Sequence, residues 1–168
     1  MTLDAMVLQK IADWQPSGQG RQTLSLHDPA SGWLLRLDFD RRDEFSIVLW
    51  ELQICRSGEP AQGAQEAVTL WAQHASNLTG LLETLQIVEI DHQRIEALLR
   101  SSESAQRDGQ IFYYEVLLKA NREALVRRYR GGKPGAPREQ VSFVLTHEVL
   151  AKLVRDIVTG HPAARRLL

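Results

Sequence analysis

The chain has 168 residues, of which 43% are hydrophobic and 24% are charged, a composition typical of soluble globular proteins. Its apolar runs fall far short of the roughly 20 residues that a membrane-spanning helix needs, and the N-terminus is acidic where a secretion signal would be basic. The single cysteine, Cys55, excludes an internal disulfide framework and fits a reducing compartment. We therefore expect a cytoplasmic protein that does not enter membranes.

The net charge of −1 hides an imbalance between the two parts of the chain. Residues 1–100 contain 8 Lys/Arg and 14 Asp/Glu, whereas residues 101–168 contain 12 and 7. The densest basic segment is Lys119–Arg138. Such a split predicts an anionic partner for the basic part, or else pairing of that part with the acidic part or with a second copy of the chain.

The first 80 residues predict a helix, three strands and a second helix. Apolar residues recur at helical spacing over 3–14 and again over 60–78. Between them, alternation around a turn at 28–32 predicts a β-hairpin, and 45–56 reads as a central strand with both faces covered. On that strand we expect two faces, one with Phe45, Ile47 and Leu49, and the other with Val48, Trp50, Leu52 and Ile54.

The remaining residues predict more strands and a last helix. A hairpin is expected around 91–94, followed by a polar, mobile connector at 101–109 and by two strands that meet in a tight turn near Asn121. After the glycine-rich segment 131–135, a short strand leads into Thr146, which is suited to cap the N-terminus of a helix. Gly160 and Pro162 end that helix.

This order of elements predicts an α+β fold, with a meandering antiparallel sheet and helices packed mainly on one face. We expect a single domain over 1–168, with sub-halves 1–80 and 81–168 that each resemble a βββα unit.

Candidate catalytic residues do not converge in the sequence. No two of the five histidines have the i, i+4 spacing of a helical metal site, and the segment 131–135 lacks the spacing of a phosphate-binding loop. Cys55 and His74 are the candidate nucleophilic pair, and the alternative is that Cys55, at a strand end, is a packed side chain, as such cysteines more often are. We therefore expect no cofactor, no metal and no enzymatic activity.

The basic hairpin that follows Lys119 is the candidate binding site. Cations and tyrosines that share a sheet face are typical of single-strand nucleic-acid binding, because the cations contact phosphates and the rings stack on bases. The alternative is that the tyrosines are core residues and that the arginines pair with acids of the first part. The candidate nucleic-acid-binding residues are Arg127, Arg128, Tyr129, Arg130, Lys133 and Arg138.

Residues 110–158 resemble the strands-then-helix domains of positive-cofactor-type coactivators, and their element order is similar to that of Pur-type and Whirly proteins. That resemblance implies a homodimer that binds single-stranded DNA or RNA through its basic strands. The matching elements are Arg127 with Tyr129, Lys133-Pro134-Gly135, Arg138, Leu145-Thr146, and then Glu148, Leu150 and Leu153.

A second resemblance concerns the whole chain. The order of a helix, three strands, a helix, more strands and a last helix is similar to that of type III secretion chaperones, which are dimers that bind extended segments of a partner protein. Two functions are therefore expected, single-strand nucleic-acid binding through the basic hairpin and, as the alternative, protein binding by a chaperone-like dimer.

Overall fold

Ten strands and four helices make up the computed structural model, which describes residues 1–15, 20–58, 63–132 and 135–165. The helices are α1 (Leu3–Asp13), α2 (Ala64–Ala75), α3 (His147–Gly160) and α4 (Pro162–Arg165). The strands are β1 (Gln22–Asp28), β2 (Trp33–Arg42), β3 (Ser46–Arg56), β4 (Leu85–Asp91), β5 (Glu96–Ser101), β6 (Ala105–Arg107), β7 (Gln110–Lys119), β8 (Glu123–Gly131), β9 (Glu139–Val141) and β10 (Phe143–Thr146).

All the strands belong to one antiparallel sheet, so the predicted α+β class with a meandering sheet is confirmed. The order across the sheet is β1-β2-β3-β8-β7-β5-β4, with β6, β9 and β10 paired beside this path. Two meanders, one from each part of the chain, are joined where β3 pairs with β8. Among the described residues, no helix is both long and apolar enough to cross a membrane.

The helices cover one face of the sheet, because the strands alternate apolar and polar residues. Alternate residues of β1 and β2, from Leu24 to Phe39, are buried, and they share one core with Val7 of α1, Val68 of α2 and Leu150 of α3. Thr146 caps α3 as predicted, since its Oγ1 accepts a hydrogen bond from the Val149 amide at 3.1 Å. We call the opposite side of the sheet the open face.

The prediction that Leu52 and Ile54 lie on the opposite face of β3 from Ile47 and Leu49 is wrong. Ile47, Leu49, Leu52 and Ile54 are all buried on the helix side. The pairing of β2 with β3 shifts by one residue at Trp50, so that Phe39 lies opposite Leu49 whereas Asp38 lies opposite Glu51. A β-bulge of this kind inserts one residue and exchanges the faces that follow it.

Strands β3 and β8 diverge beyond this bulge. The first half of β3, from Ser46 to Leu49, pairs with β10, and its second half pairs with β8. The later residues of β8, Arg128–Arg130, pair instead with β9. Strands β9 and β10 thus fill the gap between the diverging strands, and Gln140 Nε2 donates to the Trp50 carbonyl oxygen at 2.8 Å across it.

Segment 101–109, which the sequence predicts to be a mobile connector, is partly a strand. Its residues Ala105–Arg107 form β6 and pair with β7 through a turn at Asp108-Gly109, where both residues have positive φ. Polar composition predicted a loop here because a three-residue strand is too short to show periodicity.

Candidate functional site

A row of four charged side chains crosses the centre of the open face. Glu51, Arg127, Glu115 and Arg100 lie on the adjacent strands β3, β8, β7 and β5, and the strand register places Glu115 opposite both Arg127 and Arg100. Arg127 Nε donates to Glu51 Oε2 at 2.6 Å, and Arg100 Nε donates to Glu115 Oε2 at 3.0 Å. The charges therefore alternate in sign from strand to strand.

Arg138, which follows the segment between β8 and β9, adds a further cation above this row. Its Nη1 atom lies 2.5 Å from Glu115 Oε2, so Glu115 accepts hydrogen bonds from two arginines. The Glu115 side chain is nearly inaccessible, with 7% of the residue exposed. Its hydrogen bond raises the pKa of Arg138 further above the usual arginine value. One buried carboxylate therefore anchors two guanidinium groups whose outer edges face solvent.

Guanidinium groups also lie over the aromatic rings of the open face. Tyr113 and Tyr129 stack on each other with ring centroids 5.9 Å apart. The guanidinium carbon of Arg138 is 3.9 Å from the Tyr129 ring centroid, and that of Arg100 is 5.7 Å from the Tyr113 ring centroid. Such cation–π contacts contribute about 0.5–1 kcal/mol at exposed sites. They help to hold the arginine side chains beside the rings.

A third pair of the same kind lies toward β1. The guanidinium carbon of Arg21 is 4.1 Å from the Trp50 ring centroid, and Arg21 itself is exposed. The Nε1 atom of Trp50 is covered and has no hydrogen-bond partner in the described structure. A buried donor without an acceptor is rare in folded proteins and costs free energy.

The predicted nucleic-acid-binding residues divide between the two faces. Arg127, Tyr129 and Arg138 lie on the open face, as just described. Arg128 and Arg130 point to the helix side, where Arg128 Nη1 lies 2.9 Å from Glu83 Oε2 and Arg130 pairs with Glu139. Lys133 lies outside the described residues.

The arginines of β8 pair with glutamates, and two of those glutamates come from the first part of the chain. Glu51 binds Arg127 and Glu83 binds Arg128. Tyr114 is a core residue, with its ring edge against Phe143 and the Arg128 guanidinium 4.3 Å from its centroid. For Arg127, Arg128 and Tyr114, the structure therefore matches the alternative in which arginines pair with acids of the first part and a tyrosine belongs to the core.

The open face also has an apolar row beside the charged one. Leu98, Leu117 and Leu125 lie side by side on β5, β7 and β8, and Leu125 is buried. A depression of about 130 Å³ lies over Leu98 and Leu117, and its rim has three carboxylates and one cation: Glu89, Asp91, Glu96 and Arg94. The open face is therefore basic at its centre and acidic at the end formed by β4 and β5.

Cys55 and His74 lie on different sides of the sheet, so they do not form the candidate nucleophile–base pair. Cys55 is on the open face of β3, whereas His74 is on α2 beside Gly160 of α3. Burial, with a smaller effect of the Glu123 carboxylate, raises the pKa of the Cys55 thiol and so disfavours the thiolate. Within the described ranges, no three histidine, cysteine or acidic side chains are grouped to hold a metal ion.

Sequence reasoning missed four residues of this surface, Glu51, Glu115, Arg100 and Arg21. Strand alternation alone places Glu115 on the same face as Tyr113, and a hairpin turn near Asn121 places it opposite Arg127. That signal was available from the sequence. Strand alternation does not predict the position of Glu51, because the bulge at Trp50 exchanges the faces of β3 just before this residue.

Comparison of the chain with the known protein families, with curated proteins and with solved structures finds no match.

Proposed function

We propose that the protein is a cytoplasmic, non-catalytic binding module that holds an extended acidic segment of a partner protein on its open face. The observation that carries this proposal is the set of three arginines, Arg21, Arg100 and Arg138, laid over aromatic rings. A guanidinium group that lies over a ring keeps its N–H groups at its edge, so the N–H groups of Arg100 and Arg138 that Glu115 does not engage can donate to a further carboxylate.

The same geometry favours a carboxylate partner over single-stranded nucleic acid. Nucleic-acid binding of this type depends on open aromatic faces on which bases stack. Here Tyr113 and Tyr129 stack on each other, and Arg100 and Arg138 lie over them. A base would have to displace an arginine from its ring, whereas a carboxylate can approach the guanidinium edges without such a change.

The balance of charge at the centre of the face favours an anionic partner. Four arginines, Arg21, Arg100, Arg127 and Arg138, are matched by two carboxylates, Glu51 and Glu115. Glu115 divides its hydrogen bonds between two of these arginines. One or two further carboxylates from a partner would complete the pairing.

The test uses fluorescence anisotropy with three labelled probes at low salt. The probes are a peptide of alternating glutamate and threonine, the same peptide with glutamine in place of glutamate, and an oligothymidylate of the same net charge as the acidic peptide. We expect the acidic peptide to bind more tightly than the other two, and its affinity to fall as salt is raised, because exposed charges are screened.

The matched variants are Arg138→Gln and Arg155→Gln, which remove the same charge. Arg155 lies exposed on α3, on the opposite side of the sheet. We expect Arg138→Gln to weaken acidic-peptide binding about tenfold, or about 1.4 kcal/mol, and Arg155→Gln to leave it unchanged. Tighter binding of the oligothymidylate would establish nucleic-acid binding instead, and equal binding of both peptides would refute a carboxylate site.

A further inference from the structure

The two outer edges of the sheet differ in how they are protected. Strand β4 carries a bulge between Ile87 and Glu89, and the charged residues Glu89 and Asp91 follow it. Bulges and charges are the usual means by which an edge strand avoids pairing with another chain. Strand β1 has neither a bulge nor a lysine or proline, and it pairs in regular register with β2 over all seven residues.

No other described strand pairs with the outer edge of β1. A regular edge of this length presents a row of backbone donors and acceptors to any strand that can align with it. A partner strand must therefore have side chains that fit opposite those of β1, whose sequence is QTLSLHD.

The β1 sequence is complementary to itself in the antiparallel direction. If two copies pair about a two-fold axis at Ser25, Leu24 lies opposite Leu26 of the partner subunit and Thr23 lies opposite His27 of the partner subunit. The one acidic residue, Asp28, then lies opposite Gln22 of the partner subunit, so no like charges face each other. Leu24 and Leu26 stay on the helix side together with Gln22 and Asp28, while Thr23, Ser25 and His27 stay on the open face, in the alternation that both copies already have.

A groove beside this edge, with as many polar as apolar lining residues, would be covered by the same pairing. It has a volume of about 320 Å³ and is lined by α1 and the start of β1, with Met6, Trp14 and Leu24 among its residues. Its rim includes one cation, Lys10, and one carboxylate, Asp13. Two-fold symmetry brings two such grooves together without an excess of either charge.

We propose that a second copy of this chain occupies the β1 edge, so that two sheets join in antiparallel register about Ser25 and form one continuous sheet. The open faces of the two copies then lie side by side. This inference depends on the edge and the groove and is independent of what binds to the open face.

A cysteine cross-link tests the register directly. In a Cys55→Ser background, Ser25→Cys places two thiols opposite each other at the two-fold axis, where the Cα atoms of paired antiparallel residues are about 4.5–5.5 Å apart and a disulfide can form. We expect mild oxidation to give a covalent dimer throughout a dilution series. The matched control is Glu89→Cys on the β4 edge, which should stay uncross-linked.

The native protein and a Ser25→Lys variant provide the second measurement, by light scattering after size exclusion. The native chain should have twice the monomer mass of 19.0 kDa, and Ser25→Lys should be a monomer with unchanged circular dichroism, because two lysines would meet at the axis. A native protein of monomer mass, or a Ser25→Cys variant that cross-links no more than the Glu89→Cys control, would overturn the proposal. A monomer that still binds the acidic peptide would leave the proposed function standing.

Discussion

His161 Nε2 donates a hydrogen bond to the backbone carbonyl oxygen of Asn121 at 2.8 Å and thereby joins the end of α3 to the turn between β7 and β8. The other ring nitrogen, Nδ1, accepts from the Ala163 amide at 3.1 Å, which fixes the tautomer with its proton on Nε2. The imidazole is buried, with its ring edge against Trp33 and Trp71. The neutral ring is therefore the form that the fold accommodates.

This contact predicts a loss of stability in acid. Burial lowers the pKa of His161 below its ordinary value of 6.5, and the nearby Arg56 acts in the same direction, while the Asn121 carbonyl opposes them. Below about pH 6.5 the unfolded chain binds a proton that the folded chain resists, so the free energy of unfolding falls as the pH drops toward the lowered pKa.

Chemical denaturation from about pH 7.5 to about pH 5 measures this slope. The variant His161→Gln should be less stable than the native chain near neutral pH, and the difference should shrink in acid. His92→Gln, at the exposed turn between β4 and β5, is the control and should keep the native slope. A His161→Gln variant with the native slope would show that another group is responsible.

Gly160 is required where α3 meets α2. A Cβ atom at this position would overlap the ring of His74. We expect Gly160→Ala to destabilise the protein by about 1–3 kcal/mol through overpacking. Gly80→Ala is the control, because a Cβ there would meet Val149 Cγ1 at an ordinary 3.5 Å.

A double-mutant cycle with His74→Ala identifies the cause. If the imidazole is what the added methyl group meets, Gly160→Ala should cost less in the His74→Ala background than in the native one. Equal costs in both backgrounds would place the strain elsewhere in α3.

Glu115 should affect stability and binding in opposite directions. Glu115→Gln removes a buried carboxylate that accepts from Arg100 and Arg138, and we expect a loss of about 1–3 kcal/mol in the free energy of unfolding. The same change frees both guanidinium groups, so the acidic peptide should bind more tightly.

Glu139→Gln, in an exposed pair with Arg130, should change stability by less than about 0.5 kcal/mol. Weaker peptide binding by Glu115→Gln would contradict the proposed role of these arginines.

The N-terminal cap of α3 gives a prediction that depends on a single hydroxyl group. Thr146→Ala removes the acceptor for the Val149 amide and should cost about 1 kcal/mol, whereas Thr146→Ser keeps the oxygen and should cost much less. Urea denaturation of the two variants decides this, and equal losses would mean that the methyl group of Thr146 matters more than its hydroxyl.

Much of the fold follows from local patterns in the sequence. The alternation of Leu24 and Leu26, the apolar stripe that includes Val68 and Trp71, and the cap at Thr146 each depend on residues within one element. Simple periodicity therefore predicts them. Strands β6 and β9, with three residues each, escape this kind of reasoning because pairing with β7 and β8 is what makes them strands.

The open-face site was harder to predict because its ion pairs join residues distant in sequence. Arg127 and Glu51 are 76 positions apart, and their contact requires both the pairing of β3 with β8 and the bulge at Trp50. The hairpin partners Glu115 and Arg127 could be aligned from the turn alone. The positive charge that the sequence concentrates in β8 is real, but the carboxylates that neutralise it come from elsewhere in the chain.

The bulge at Trp50 has a consequence for how β3 tolerates changes in length. Along β3, buried and partly exposed residues alternate regularly before Trp50 and again after it, but the bulge offsets the second alternation from the first by one residue. Deleting Trp50 would remove the bulge and leave Ile47, Leu49, Leu52 and Ile54 in strict alternation on the helix side. Deleting Val48 instead would turn Ile47 outward, so the cost of losing one residue from β3 depends on whether the deletion falls at the bulge.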